Sequence, residues 1–265
     1  MQLISLSFFD LGLAAIAVLA LAATAFAMRL GIARTLLIAA LRTTAQLALV
    51  GLVLEAVFAT SQLLWIALMA LVMLLLAGRE AAARQKRGFV GGYGFAAGTA
   101  SMFLSSFVTA IATLLIVIRV EPWYTPQYAI PLLGMLLGNT MTGIALAMDR
   151  LTQEVWRGAP VIETRLALGA TAAEAVADIR REAMRAGMIP MLNAMAAAGI
   201  ISLPGMMTGQ ILAGSPPWEA VKYQILIMFL IATGTGFGTL LAVSLGARRL
   251  FDYRHRLRLD RLQKA

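Results

Sequence analysis

The sequence predicts an all-α integral membrane protein, and three observations carry that prediction. The chain is 60% hydrophobic and only 13% charged, with a mean hydropathy of +0.83, more apolar side chain than one water-soluble core of 265 residues can hide. Seven apolar runs are present, most of them near the ~20 residues needed to cross ~30 Å of hydrocarbon. One long polar stretch, Asp149 to Gly187, interrupts them. The expected organisation is a single membrane domain over 1–265, with a polar loop at 149–187 and a basic tail at 247–265.

In chain order the runs are Phe8 to Met28, Thr35 to Leu54, Leu63 to Ala77, Phe95 to Ile118, Tyr128 to Met148, Met188 to Ala213 and Tyr223 to Leu245. The first has no basic segment before it and carries Asp10 at its head, so it reads as a retained span and not as a cleaved signal. The third is short and is expected to start a few residues earlier. About seven spans put the termini on opposite sides, and the basic residues say which. Arg29 and Arg34 lie in the first loop, Arg79, Arg84, Lys86 and Arg87 in the third, six arginines between Arg150 and Arg185, and seven basic residues from Arg248 onward. Only Arg119 and Lys222 fall on the other side. The positive-inside rule then places the N-terminus outside and both the polar loop and the C-terminal tail in the cytoplasm. The net charge of +9 accordingly reports orientation and attraction to anionic lipid, with no nucleic acid implied.

The polar loop has the punctuation of an elbow. Pro160 can open a short helix, where its missing N–H costs nothing, and Gly169 can close it at a left-handed φ. Thr171 and Glu174 have the spacing of a capping box that starts a second helix. On that helix Val176, Ile179, Ala183 and Ala186 share one face, while Glu174, Asp178 and Glu182 form a charged stripe expected to end at Gly187. Such an elbow suits either an amphipathic helix resting on lipid headgroups or a docking handle for a soluble partner.

Within the spans, four glycine pairs at spacing four, Gly94 and Gly98, Gly134 and Gly138, Gly205 and Gly209, and Gly234 and Gly238, predict a packed bundle with a subunit interface. Arg42, with Gln46 one turn on, sits inside the second run, either capping carbonyls of a broken helix or meeting an anionic group in a pathway. In the fifth run Asn139, Thr140 and Thr142 stand beside Gly138 and Gly143, where a helix is easily loosened. In the sixth, SLPGMMTGQILAG, Pro204 and Gly205 predict a break, with Met206, Thr208 and Gln210 just beyond. Unwound backbone at membrane depth survives only where protein or water satisfies it, so both stretches are candidates for a translocation path; the alternative is a packing kink. The methionines of these runs read as gap fillers before they read as soft-metal ligands.

Several chemistries are excluded. There is no cysteine, and the only histidine is His255 in the tail, so thiol catalysis and multi-histidine metal sites are absent. None of the lysines has the Gly-Lys-Ser/Thr context of a phosphate-binding loop, and no carboxylate sits in mid-span. If such a chain drives transport, the energy most simply arrives through the elbow from another polypeptide.

Glu163, followed six residues later by Gly169, Ala170 and Thr171, resembles the EAA-type coupling loop of ATP-binding cassette permeases. With PLLGMLLGNTMTG, LPGMMTGQILAG and YQILIMFLIA, the whole chain is identified as similar to the FetB (YbbM) family of bacterial permeases, relatives of plant aluminium-tolerance membrane proteins. The resemblance implies a permease that is not itself an enzyme and sits as a homodimer in the bacterial inner membrane. It also implies a separate FetA-like nucleotide-binding ATPase subunit that holds ATP and Mg, no cofactor on this chain, and iron export. The coupling residues it implies are Glu163, Gly169, Ala170, Thr171, Glu174 and Asp178. Thr164 and Arg165 replace the two alanines of the motif, and the Leu-Pro usual early in the second helix is replaced around Ile179 by Arg and Glu, with Pro190 later. Iron could pass as a chelate or over weak oxygen ligands such as Asn139, Thr140 and Gln210. A nucleotide sugar or another anionic solute meeting Arg42 stays open as cargo, as does a gradient-driven carrier with no ATPase.

Overall fold

The computed structural model describes residues 7–60 and 62–263, and among them the secondary structure is almost wholly helical, with only isolated β-bridges. The chain forms two compact units. The first holds α1 (Phe8–Ala27) and α2 (Ala33–Thr60). α1 starts on a capping box: Asp10 N donates to the Ser7 hydroxyl at 3.3 Å, and the Asp10 carboxylate accepts from Ser7 N at 2.8 Å. A short turn with Arg29 and Gly31 at positive φ leads to α2, which packs back on α1. Most apolar side chains of both helices are exposed, as lipid-facing ones are.

The second unit contains α3 (Leu63–Ala83), α4 (Tyr93–Met102), α5 (Val108–Ala112), α6 (Pro126–Arg157), α7 (Ala159–Ala167), α8 (Ala172–Ala175), α9 (Ala177–Ala197), α10 (Gly205–Leu212) and α11 (Pro217–Arg249). α6 is its axis and packs against α3, α4, α9 and α11. Leu136, Ile144, Met148, Leu151 and Val155 on α6 are fully buried. Close helix approach replaces the missing hydrophobic effect between lipid-embedded helices. At the α6–α9 crossing a Cβ on Gly187 would stand 2.6 Å from the Gly143 carbonyl oxygen, and one on Gly143 would stand 2.9 Å from that of Gly187. On α11 a Cβ on Gly238 would meet Thr140 at 2.6 Å and Ser105 at 2.7 Å. Of the paired glycines, Gly234 and Gly238 are spent inside the bundle, whereas Gly138, Gly205 and Gly209 face open space.

The structure adjusts several of these expectations. Among the described residues six continuous helices are long and apolar enough to cross a membrane, and the remaining expected run, the sixth, is not one continuous helix. The expected sixth run is divided: α9 enters it from the polar loop and stops at Ala197, and α10 has only 8 residues. The break expected at Pro204 is present but begins earlier, at Ala198, where an Ala198–Ser202 bridge and Gly199 at φ +83° turn the chain. Gly187, beyond the charged stripe, lies inside α9, which runs on through it and through Pro190, and it makes the close crossing with Gly143. The fifth run is not loosened at Asn139: α6 is continuous for 32 residues, with Gly143 held between Gly187 and Thr235. The irregular span is instead the fourth, where α4 passes into π-helical turns at Phe103–Phe107 and Thr113–Ile118 on either side of α5.

Candidate functional site

The corner forms where its punctuation predicts, but the expected second helix is divided: α8 ends at Ala175 and α9 starts at Ala177, with Val176 between them at φ −112° and ψ 11°. α6 ends at Gly158, and α7 begins with Pro160 in its first turn. The chain turns at Leu168 and at Gly169, whose φ of +94° a β-branched residue tolerates poorly. Thr171 caps α8: its hydroxyl accepts from Glu174 N at 3.3 Å, and the Glu174 carboxylate accepts from Thr171 N at 2.8 Å and from the Thr171 hydroxyl at 2.7 Å. The backbone N–H of Thr171, then its hydroxyl, holds the Glu174 carboxyl below the usual range. A brace that the sequence did not announce closes the corner. Arg165 donates to the Ala175 carbonyl at 3.2 Å and to Asp178 at 3.3 Å, and Asp178 also accepts from Arg181 at 2.6 Å. Arg165 thus ties α7 to α8 and α9.

The two faces of the elbow differ. Ala159, Ile162, Ala175, Val176 and Ala183 are buried. Glu163, Thr164 and Gly169 are exposed, Ala170 is half-buried, and Leu168 is 84% exposed at the corner itself. The tail is a folded strap over the same end. Arg258 N donates to the Leu250 carbonyl at 2.8 Å, Gln263 N to that of Gly88 at 2.9 Å, and Arg261 to that of Arg249 at 2.6 Å. The Arg258 guanidinium pulls the Asp260 carboxyl down to about 2. His255 Nδ1 accepts from Ala172 N at 3.3 Å, joining strap to elbow. Arg87 lies over the Trp156 ring at 4.1 Å, and Lys86 N donates to Asp149 at 2.8 Å, so the loop after α3 is tied in as well.

The expected pathway residues differ in exposure. Thr140 is fully buried and accepts from the Ser106 hydroxyl at 3.4 Å, whereas its neighbour Asn139 is exposed and donates to the Met135 carbonyl at 2.8 Å. Pro204, Gly205 and Met206 lie at the break, and Thr208 donates to the Pro204 carbonyl at 3.2 Å. Gln210 Oε1 is buried without a hydrogen-bond partner. Arg42 and Gln46 are exposed on α2, in the first unit. Sequence reasoning missed a set of buried polar groups: Ser101, Ser105 and Ser106 on the deformed fourth span, and Gln224 and Thr235 on α11. Gln224, one polar residue in the apolar run YQILIM, lines a cavity of about 520 Å³ with Met195, Met207 and Met228, and its Oε1 has no partner. Among the described residues, no group of three or more His, Asp or Glu side chains is placed to hold a metal.

This geometry defines an all-helical, multi-pass membrane protein with a braced elbow and strap at one end. Residues 8–251 match the family described as "Uncharacterised protein family (UPF0014)", and the chain belongs to it. It is 39% identical to the UPF0014 membrane protein slr1647 of Synechocystis sp., over 82% of this chain and 83% of that one. It is 35% identical to the UPF0014 membrane protein STAR2 of Oryza sativa subsp. japonica, over 88% and 80%, and 33% identical to the Probable iron export permease protein FetB of Escherichia coli (strain K12), over 84% of each chain. No solved structure matches it. The expected kinship with FetB-type proteins holds.

Proposed function

We propose that this chain is the membrane subunit of an ATP-binding cassette exporter, working as a homodimer whose elbows dock into two separate nucleotide-binding ATPase subunits. The observation that supports this reading best is the elbow: two short helices set by a left-handed glycine, braced by Arg165, with Leu168 exposed at the tip. An exposed apolar residue on a stiff corner is what a soluble partner can grip and pull. In this reading the elbow and strap are cytoplasmic and the N-terminus is outside, with the chain in a bacterial inner membrane. Glu163, Gly169, Ala170, Thr171, Glu174 and Asp178 form or shape the docking surface. The path runs along the open side of α6 at Asn139, past the interruption at residues 198–204, with Gln210 as a free acceptor. The similarity to FetB makes iron the first cargo to test.

Gly169→Val tests the docking role. Strain at φ +94° should cost about 1–3 kcal/mol locally and move the corner, leaving membrane insertion intact while stimulation of the partner ATPase is lost. Unchanged coupled transport in that variant removes the elbow from the mechanism. Transport by the purified chain in vesicles with no ATPase present would favour the carrier reading instead.

A further inference from the structure

Between the elbow and the strap lies a cleft of about 380 Å³, bounded by Thr171 and Val176 on one side, Ser244 and Arg248 on α11, and Asp252 and His255 on the strap, with Arg180 reaching into its lining. Its charges are not balanced. Arg180 is half-buried and, among the described residues, donates only to the Ser244 hydroxyl at 3.3 Å and leaves its Nε buried without an acceptor. Among the described residues neither Arg180 nor Arg248 is paired with a carboxylate. Asp252, the one acid of the lining, is already spent: it accepts from Arg254 N, Arg256 N and Arg256 Nε, each at 2.9 Å, and those bonds hold its carboxyl below the usual range. His255 uses Nδ1 on Ala172 N, which leaves Nε2–H as its remaining donor.

We propose that this cleft binds a phosphate-bearing anion, held by the Arg180 and Arg248 guanidinium groups. A guanidinium partly withdrawn from water with an empty N–H is an unfavourable arrangement until an anion fills it, and phosphate oxygens match its planar fork of donors. Arg248 stands in the last turn of a 33-residue apolar helix, the level at which a lipid phosphodiester sits, and the cleft is equally open to a soluble phosphate compound. Either ligand would staple strap to elbow, since the two walls carry the His255–Ala172 hydrogen bond already. The site stands without the transport reading; only an effect on coupling would depend on it.

The test uses the full chain in nanodiscs at matched ionic strength, reading the unfolding midpoint and amide exchange at residues 171–176 and 251–256. One arm compares phosphatidylcholine with phosphatidylcholine plus phosphatidylglycerol; the other adds inorganic phosphate to phosphatidylcholine alone. Binding should raise the midpoint by roughly 2–4 °C and slow exchange in both segments. Arg180→Gln and Arg248→Gln should each abolish the response, and Arg185→Gln, on the same helix but outside the cleft, should keep it. A response to phosphatidylglycerol only assigns the site to lipid, a response to inorganic phosphate only assigns it to a soluble ligand, and both support the shared chemistry. No response in either arm, or a response that Arg180→Gln and Arg248→Gln retain, overturns the proposal. Should Arg180→Gln not fold, the exposed Arg248 carries the test alone.

Discussion

The corner of the elbow and one set of polar side chains inside the bundle differ in how they are satisfied. At the elbow, Arg165, Thr171, Glu174 and Asp178 all find partners within thirteen residues of chain, so the corner holds its shape by local bonds. Inside the bundle, Ser101, Ser105, Gln224 and Thr235 are buried with side-chain atoms that have none. Buried polar groups are normally satisfied, and π-helical turns concentrate at functional sites. Ser105 combines both features, lying in the first π-helical stretch. A part that transmits force has to be stiff, while a part that rearranges or receives a solute needs bonding capacity in reserve. Under the proposed function, the corner and this set of buried groups would divide in that way.

Substitutions can break or sharpen this contrast. The largest effect is expected from Gly187→Val, which drives a side chain into the Gly143 carbonyl 2.6 Å away, where backbone must move. It should destabilise the bundle by about 3 kcal/mol or more, seen as a large fall in the unfolding midpoint and loss of a monodisperse peak in detergent. A mild effect would mean that the helices do not approach so closely. Thr171→Ala removes one half of the capping box and should cost about 1 kcal/mol, with faster amide exchange confined to residues 171–176. Gln224→Leu should have the smallest effect, none or a slight rise in midpoint, because it deletes an acceptor that has no donor. A fall as large as that of Thr171→Ala would show that Gln224 is bonded, and the contrast would fail.

What could be read beforehand follows the range of the interactions. Pro160, Gly169, Thr171 and Glu174 act within one turn, so the corner was legible residue by residue. The interruption near Pro204 was legible for the same reason. Arg165 was not, since its partners lie ten and thirteen residues on and across a turn. Gly143 looked like a flexible point and Gly187 like the end of a charged stripe; both proved to be contact points, a role decided by the other helix. The π-helical turns at Phe103–Phe107 carry no glycine or proline, and nothing in that stretch distinguishes it from regular helix. Likewise the anion cleft joins residues from 171 to 255 that only the strap's return brings together.

The reading of the chain as a force-receiving membrane subunit rests on which side of the membrane the elbow faces. The chain has no cysteine, so Leu168→Cys gives a single reporter at the exposed corner. A membrane-impermeant maleimide should leave it unlabelled in intact cells and label it in inverted membrane vesicles, with labelling blocked once the partner ATPase is bound. Labelling in intact cells would place the elbow outside, where no ATPase can reach it, and would contradict the account.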